Sequence, residues 1–403
     1  FFLVALPVAA FAGFGAERLV RRVVSIRELL MPLGVLGALA LLAAAGALGG
    51  VGLAFVGPDM AERVAANAAP LQAGGLRLLL VVLLGGAVLW AVGRGRIAGP
   101  AAAAALAAAV TADLWSVDRL FFQFKEPAGR LYADDPITAR LRTLPKPFRV
   151  LDVGVYQGSY LMAHDIQTML GYHGNEVRFY DELMGGKNEW RNAGSPNLHE
   201  LLGVRFLLLP DSQAVPGYHQ VMGPTPTTPG SVGVLLERDT VPSYVRVVPG
   251  AAKLPEDQIV PTVVDPRFPV NAVVLLPDTS SLTPAPIQSL GSDSTRVRAR
   301  LADWAPGRMR IELEGSETRR QYLVVGETWY KDWHAAVDGK ETVVHRGNHA
   351  LLTMELPPGA REVTLRFASP EYARGRAVTL LALAVIAGLF VWSARRGRRA
   401  ADG

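Results

Sequence analysis

Residues 78–93 read Leu-Leu-Leu-Val-Val-Leu-Leu-Gly-Gly-Ala-Val-Leu-Trp-Ala-Val-Gly, without a single charge. Leu71 to Leu76 extend the stretch upstream, and only Arg77 interrupts. A bilayer core about 30 Å thick takes roughly 20 apolar helical residues to cross. The stretch therefore reads as a membrane span, and it sets the class of the whole chain.

Working outward, four more segments have this character. Phe1 to Ala16 is short, Met31 to Val56 is uncharged throughout, and Ile97 to Trp115 is apolar until Asp113. The last is Ala377 to Ala394. The expectation is four transmembrane helices at about 1–16, 31–56, 71–93 and 97–115, and a C-terminal one over 376–394. Gly46 and Gly50 form a small-xxx-small pair of the kind that lets helices approach closely in lipid. The chain starts with Phe1-Phe2-Leu3-Val4 inside an apolar run, with no basic n-region. That is not a signal peptide. It is read as a piece of a longer protein, cut within a membrane helix.

Basic residues set the orientation. Arg18, Arg21, Arg22 and Arg27 follow the first span, Arg94 and Arg96 separate the third from the fourth, and Arg395, Arg396, Arg398 and Arg399 follow the last. One alternating assignment puts all three clusters, with the 395–403 tail, in the cytoplasm. The segment from about Asp118 to Arg376 then lies outside. The expected location is a membrane crossed several times, with membrane lipid as a partner.

Charged residues make up 19% of the chain, against about 25% in a typical soluble domain. The net charge of +5 is concentrated in short loops beside apolar runs and reads as a topology signal. There is no cysteine, which excludes disulfides and thiolate metal sites. No P-loop, dinucleotide fingerprint, GxSxG elbow or HExxH motif is present, and no basic patch interleaved with aromatics, so nucleic acid is not an expected partner.

The extracytoplasmic part divides in the pattern. Over 117–250 it reads as an α/β region: a strand at Phe148–Val153, a helix over Ser159–Leu170, a short helix capped by Asn197 with Glu200 as its partner, and strands at Val204–Leu209, Val232–Leu236 and Tyr244–Val248. Over 251–295 prolines recur, giving a Pro-rich linker with one short strand at Ala272–Leu276. Over 296–370 a two-residue period is strong, as in Met309, Ile311 and Leu313 or Ala350, Leu352, Met354 and Leu356. Asp338-Gly339 signals a hairpin between Trp333–Val337 and Glu341–His345, and Pro357-Pro358-Gly359 a turn. This is an antiparallel β-sandwich of jelly-roll type. The fold class is thus a membrane α-helical bundle plus an extracytoplasmic α/β layer and β-sandwich.

Few side chains suggest chemistry. Asp113 lies within the fourth span, where a carboxylate is costly unless it faces water, a partner or a substrate. With Asp118 and Arg119 it could rim a cleft; alternatively it is an interfacial group paired to Arg119. Asp134-Asp135-Pro136 could bind a cation or form an Asx turn. His345 and His349 are four apart, but with Gly347-Asn348 between them in a hairpin region, so no metal site is assigned. Trp329, Tyr330 and Trp333 could form a sugar-stacking platform or fill a core. No cofactor is evident.

The tail carries a signature: Glu327-Thr328-Trp329-Tyr330-Lys331-Asp332-Trp333-His334-Ala335-Ala336-Val337-Asp338-Gly339-Lys340, then Arg346-Gly347-Asn348-His349-Ala350, Leu356-Pro357-Pro358-Gly359, Val363 to Phe367, Ser369-Pro370 and Gly375. It resembles the C-terminal end of the bacterial YfhO family of large membrane proteins. Ala112-Asp113-Leu114, Leu170-Gly171-Tyr172 and Leu202-Gly203-Val204-Arg205-Phe206 agree with it, and His334 departs where the family often has lysine. The resemblance alone implies a bacterial cytoplasmic (inner) membrane as the location of this multi-pass chain, and it implies a GT-C-type glycosyltransferase. Such an enzyme takes a polyprenyl-phosphate-linked sugar as donor and a cell-surface polymer, such as a teichoic acid, as acceptor. It implies inverting transfer, with a carboxylate base in a first outer loop upstream of Phe1. No catalytic residue in this chain inherits that role, and Asp113, Asp118 and Arg119 are the expected cleft rim, Arg119 near a lipid phosphate. A non-catalytic scaffold or glycan-binding protein of envelope assembly is the alternative.

Overall fold

The computed structural model describes residues 2–401 apart from 22, 24–25, 157, 172–175, 188, 229 and 285–296. Arg22, Tyr172, Arg296 and the end of the expected linker lie outside the described residues. The chain forms two compact units, residues 1–125 and 126–403.

The first unit holds α1 (Phe2–Val20), α2 (Ile26–Ala44), α3 (Ala47–Ala54), α4 (Pro58–Ala66), α5 (Ala68–Gly93) and α6 (Gly99–Asp118). The uncharged run 31–56, expected as one span, is divided between α2 and α3. Gly46 takes a left-handed φ of 80°, which a glycine adopts without a Cβ penalty and which a helix cannot pass through. Of the Gly46/Gly50 pair only Gly46 is closely approached, a Cβ there standing 2.6 Å from the Gln72 side chain of α5. A Cβ on Gly50 would meet open space, whereas one on Gly75 of α5 would strike Ala43 and the Ala44 backbone of α2.

Four helices among the described residues are long and apolar enough to cross a membrane: Arg27–Ala44, Ala68–Gly93, Gly99–Asp118 and Pro370–Trp392. No more than 11% of any of these windows is buried. Leu83, Leu84 and Phe390 stand 62%, 60% and 73% exposed. Apolar surface this extensive needs an apolar surrounding, which a bilayer supplies.

The second unit starts with α7 (Ala128–Leu131) and α8 (Pro136–Arg142). A mixed five-stranded sheet follows, built from β1 (Arg149–Asp152), β2 (Gln167–Thr168), β3 (Val204–Leu209), β4 (Tyr218–Pro226) and β5 (Val232–Arg238) in the order β2-β1-β3-β5-β4. The helices α9 (Tyr160–Ala163), α10 (Arg178–Met184) and α11 (Pro196–Leu201) lie between these strands in sequence. The helix expected over 159–170 is only the single turn α9; Asp165 has φ 63°, and the chain then pairs alongside β1 as β2. Asn197 is not the cap of α11. Ser195 is, its Oγ accepting from the Leu198 N–H. Asn197 instead donates to the carbonyls of Val263, Asp265 and Phe268.

The expected linker carries structure. After β6 (Val245–Val248) come β7 (Gly250–Leu254), α12 (Glu256–Val264) and β8 (Val273–Pro277), with β7 and β8 paired in parallel. Ile259, Val263 and Val273 to Leu276 are buried. The prolines that suggested a linker include Pro255 just before α12 and Pro277 at the end of β8, boundaries at which a missing N–H costs little.

The remaining strands are β9 (Arg298–Ala305), β10 (Arg308–Glu314), β11 (Gln321–Thr328), β12 (Trp333–Val337), β13 (Lys340–Thr342), β14 (His345–Gly347), β15 (Leu351–Leu356) and β16 (Glu362–Phe367), before the long helix α13 (Pro370–Ala401). They form two antiparallel sheets, β13-β12-β16-β10-β9 and β14-β15-β11-β6. β6, expected in the α/β region, pairs with β11 instead. The strand expected over 341–345 is split, its two ends entering different sheets as β13 and β14. Asp338 (φ 48°) and Gly339 (φ 77°) make the hairpin between β12 and β13.

One apolar cluster joins the two sheets: Val247, Leu323, Val325 and Met354 pack with Met309, Ile311, Val363 and Leu365. The alternate side chains Val248, Tyr322, Val324 and Leu351 belong to a second cluster with Leu201, Val204 and Val274. The four-stranded sheet is thus covered on both faces.

Candidate functional site

Asp113 is paired, but not to Arg119. Its carboxylate meets the Arg77 guanidinium of α5. Arg77 Nη2 also donates to the Asp113 carbonyl at 2.8 Å, and its Nε and Nη2 donate to Ser116 Oγ at 3.1 and 2.8 Å. Ser116 in turn donates to the Asp113 carbonyl at 2.7 Å. Asp118 ends α6 and Arg119 caps it through its backbone; neither makes an ion pair among the described residues. No ion pair joins the three expected rim residues to one another among the described residues. What converges is Arg77, Asp113 and Ser116, a neutralised polar cluster between apolar helices.

The acidic pair at 134–135 is engaged internally. Asp135 caps α8, accepting from the Ile137 and Thr138 N–H groups and from the Tyr156 hydroxyl. Asp134 accepts from Arg142 at 2.6 Å and faces His164 at 2.9 Å. Its hydrogen bond from Arg142 holds that carboxyl below the usual carboxylate range. His345 and His349 also part: His345 faces Ser280, whereas His349 faces Glu182. No cluster suited to a metal ion occurs among the described residues.

A smaller cavity of about 400 Å³ lies against Asp134, Arg142 and His164, and a larger cleft is built on α10. Leu183 and Met184 anchor this short helix in the core. Gly185 (φ 93°) and Gly186 (φ 112°) turn the chain away at once. That leaves Phe179 and Glu182 facing Trp329, Tyr330 and Lys331, just after β11, across a cleft of about 940 Å³. A second cavity of about 790 Å³ adjoins it, floored by Val260, Pro261 and Val264 of α12. Arg178, Glu182 and Gly186 line both.

Glu182 is held at both oxygens. Arg178 Nε donates to Oε1 at 2.7 Å, and His349 Nε2 lies 2.8 Å from Oε2. Burial would raise this carboxyl, but the hydrogen bonds from Arg178 and His349 outweigh it and hold the value below the ordinary one. His349 is 3% exposed, and burial pushes its pKa down despite the carboxylate. Its Nδ1 is buried with no partner among the described residues. The ring is therefore neutral, with the proton on Nε2 donated to Glu182.

The aromatic walls are equally fixed. The Arg346 guanidinium sits 3.7 Å above the Phe179 ring and pairs with Glu256 at 2.7 Å. Trp329 and His349 meet Phe179 edge-on at 6.1 and 5.7 Å. The Trp329 indole donates to the Val344 carbonyl at 3.2 Å, which fixes its ring. Trp333 packs against the two-sheet core and Phe367, so it is a core residue. Tyr330 is 44% exposed at the cleft mouth. Lys331 reaches Glu371 in the first turn of α13 at 2.6 Å. The cleft mouth is thereby tied to the start of an apolar helix.

Rigid aromatic edges beside fixed donors and acceptors suit a ligand with both apolar faces and many hydroxyls, as a sugar ring has. Phe179, Glu182 and Arg346 were not singled out from sequence. The available signal was the Arg178/Glu182 pair at helical spacing followed by two glycines. Comparison of the chain with protein-family models, curated proteins and solved structures finds no match.

Proposed function

We propose that this chain is the C-terminal part of a multi-pass protein of the bacterial cytoplasmic membrane, and that its outer domain holds a saccharide in the cleft between α10 and residues 329–331. On this reading the 118–376 segment is extracytoplasmic, the two antiparallel sheets are a β-sandwich, and the basic tail is cytoplasmic. The observation that carries the proposal is the cleft: Phe179, Trp329 and Tyr330 beside a Glu182 carboxylate fixed by Arg178 and His349. Its connection through Lys331 to the first turn of α13 supports a ligand met at the membrane surface.

The wider role follows from the resemblance to the YfhO family. It is transfer of a sugar from a polyprenyl-phosphate carrier to a cell-surface glycopolymer. Glu182 already has both oxygens engaged, which favours a binding role for this chain and leaves the base to a first outer loop. A non-catalytic glycan-binding scaffold is the second reading, favoured by the same observation.

The test deletes the full-length gene in its host and analyses the surface glycopolymers. Loss of one sugar, restored by wild type and not by a first-loop carboxylate variant, supports transfer. Restoration by that variant, with loss on Tyr330→Ala, supports the scaffold. Unchanged polymers in the deletion strain overturn both.

A further inference from the structure

The two cavities that meet at Glu182 differ in their walls, and that difference bears on what the cleft takes. Each lies near the top of the roughly 300–1,000 Å³ range of sites that enclose a drug-sized ligand. A single sugar is smaller than such a ligand and would leave most of either cavity empty. The cavities are consecutive, sharing Arg178, Glu182 and Gly186. One end presents Trp329 and Tyr330, and the other the apolar surface of Val260, Pro261 and Val264.

The charges narrow the class further. The first cavity is lined by three carboxylates and three cations; the second adds two carboxylates and one cation. Most of these groups are neutralised in place. Glu182 pairs with Arg178, Glu176 with Lys187 at 2.9 Å, Lys331 with Glu371, and Arg191 with Glu189 at 2.7 Å. Asp181 and Asp257 make no ion pair among the described residues. A polyanion would meet a small excess of negative charge at Asp181 and the exposed Asp257, and repulsion opposes it.

We infer that the two cavities are one extended site for an uncharged linear oligosaccharide of several units, gripped at its middle by Glu182 and Arg178. One end lies against Tyr330 and the other along α12 at Pro261. This rests on the saccharide reading above and adds the length and charge of the ligand. A fixed carboxylate accepts from sugar hydroxyls without needing to move, and apolar contacts at both ends give affinity that grows with chain length.

The test is calorimetric titration of the full chain, in detergent, with neutral oligosaccharides of glucose, mannose, galactose and N-acetylglucosamine of one to six units. Oligogalacturonate of matched length is the anionic probe. For the sugar that binds, affinity is expected to rise by about tenfold or more from the disaccharide to the longer chains and then level off, with the anionic probe weaker by a similar factor. Tyr330→Ala and Pro261→Arg, both at exposed positions, should each move the plateau to shorter chains. Affinity independent of length, a plateau unmoved by either variant, or tighter binding of oligogalacturonate overturns the extended neutral site while the saccharide reading stands. Failure of every sugar to bind overturns both.

Discussion

Arg77 and Asp113 have meaning only together. An ionised side chain at the centre of a span costs about 2.5–3.5 kcal/mol on insertion scales, and an opposite charge on the adjacent helix removes much of that cost. Arg77→Ala should therefore lower the thermal unfolding temperature of the detergent-purified chain, and the double variant Arg77→Ala/Asp113→Ala should recover most of the loss. Simple addition of the two single effects would show that the contact contributes nothing. His349 gives a prediction of a different kind. It is buried and neutral, its pKa below the ordinary 6.5. As pH falls below about 6.5 the unfolded chain takes up its proton first, so the His349 contribution is complete above that pH and is lost as pH falls toward the folded value. Glu182 has the same sign in a lower window: its contribution is complete above the ordinary 4.5 and lost as pH falls through the depressed folded value. Urea unfolding between pH 7 and 5 should show falling stability, and His349→Gln should flatten the slope. Part of the slope should survive, because His199, also pushed down by burial, acts with the same sign. An unchanged slope in the variant would mean that folding leaves the His349 pKa where it is in the unfolded chain, and a steeper one that the fold favours its protonated form.

Among the elements, β11 is packed on both faces. Leu323 and Val325 face one core while Tyr322 and Val324 face the other. Gly326 then lets the strand pass against α11, where a Cβ would stand 2.8 Å from the Leu201 carbonyl. Arg149 also donates to the Gly326 carbonyl, so the strand cannot simply shift away. Gly326→Ala should cost about 1–3 kcal/mol in chemical unfolding, the usual penalty for overpacking. A neutral result would show slack between α11 and the sheet. The same burial explains why β11 was not legible in the sequence. A strand covered on both faces lacks an exposed polar side and so the clearest two-residue period, whereas β10, with one exposed face, could be read directly; β15 is buried too, but Thr353 and Glu355 keep its alternation visible. β6 failed for another reason: its residues mark it as a strand, but its partner β11 lies more than seventy residues on, and local pattern carries no information about that pairing. The site divides in the same way. Trp329 and Tyr330 stood out as a cluster, but Glu182 gains its character from His349, 167 positions away.

On the scale of the whole molecule, the apolar helices, the sheets and the basic clusters constrain one another through topology. If Arg94–Arg96 and the tail after Trp392 face the cytoplasm, connectivity requires an even number of crossings between them. α6 and α13 supply two, with the sheets of the second unit between them in the chain. The proposed topology therefore stands or falls on the side occupied by three segments. The absence of native cysteine makes this directly testable, since single introduced thiols have no background. In intact cells a membrane-impermeant maleimide should label Ser212→Cys, in an exposed loop of the second unit, and should label Gly95→Cys only after the membrane is permeabilised. A cysteine appended after Gly403 should behave like Gly95→Cys. If Ser212→Cys is protected and the other two are labelled, the whole assignment is inverted and a cleft open to surface glycans is ruled out. If Gly95→Cys and the appended cysteine differ from each other, one of the two helices α6 and α13 does not cross, and its apolar surface must be covered by protein instead of lipid.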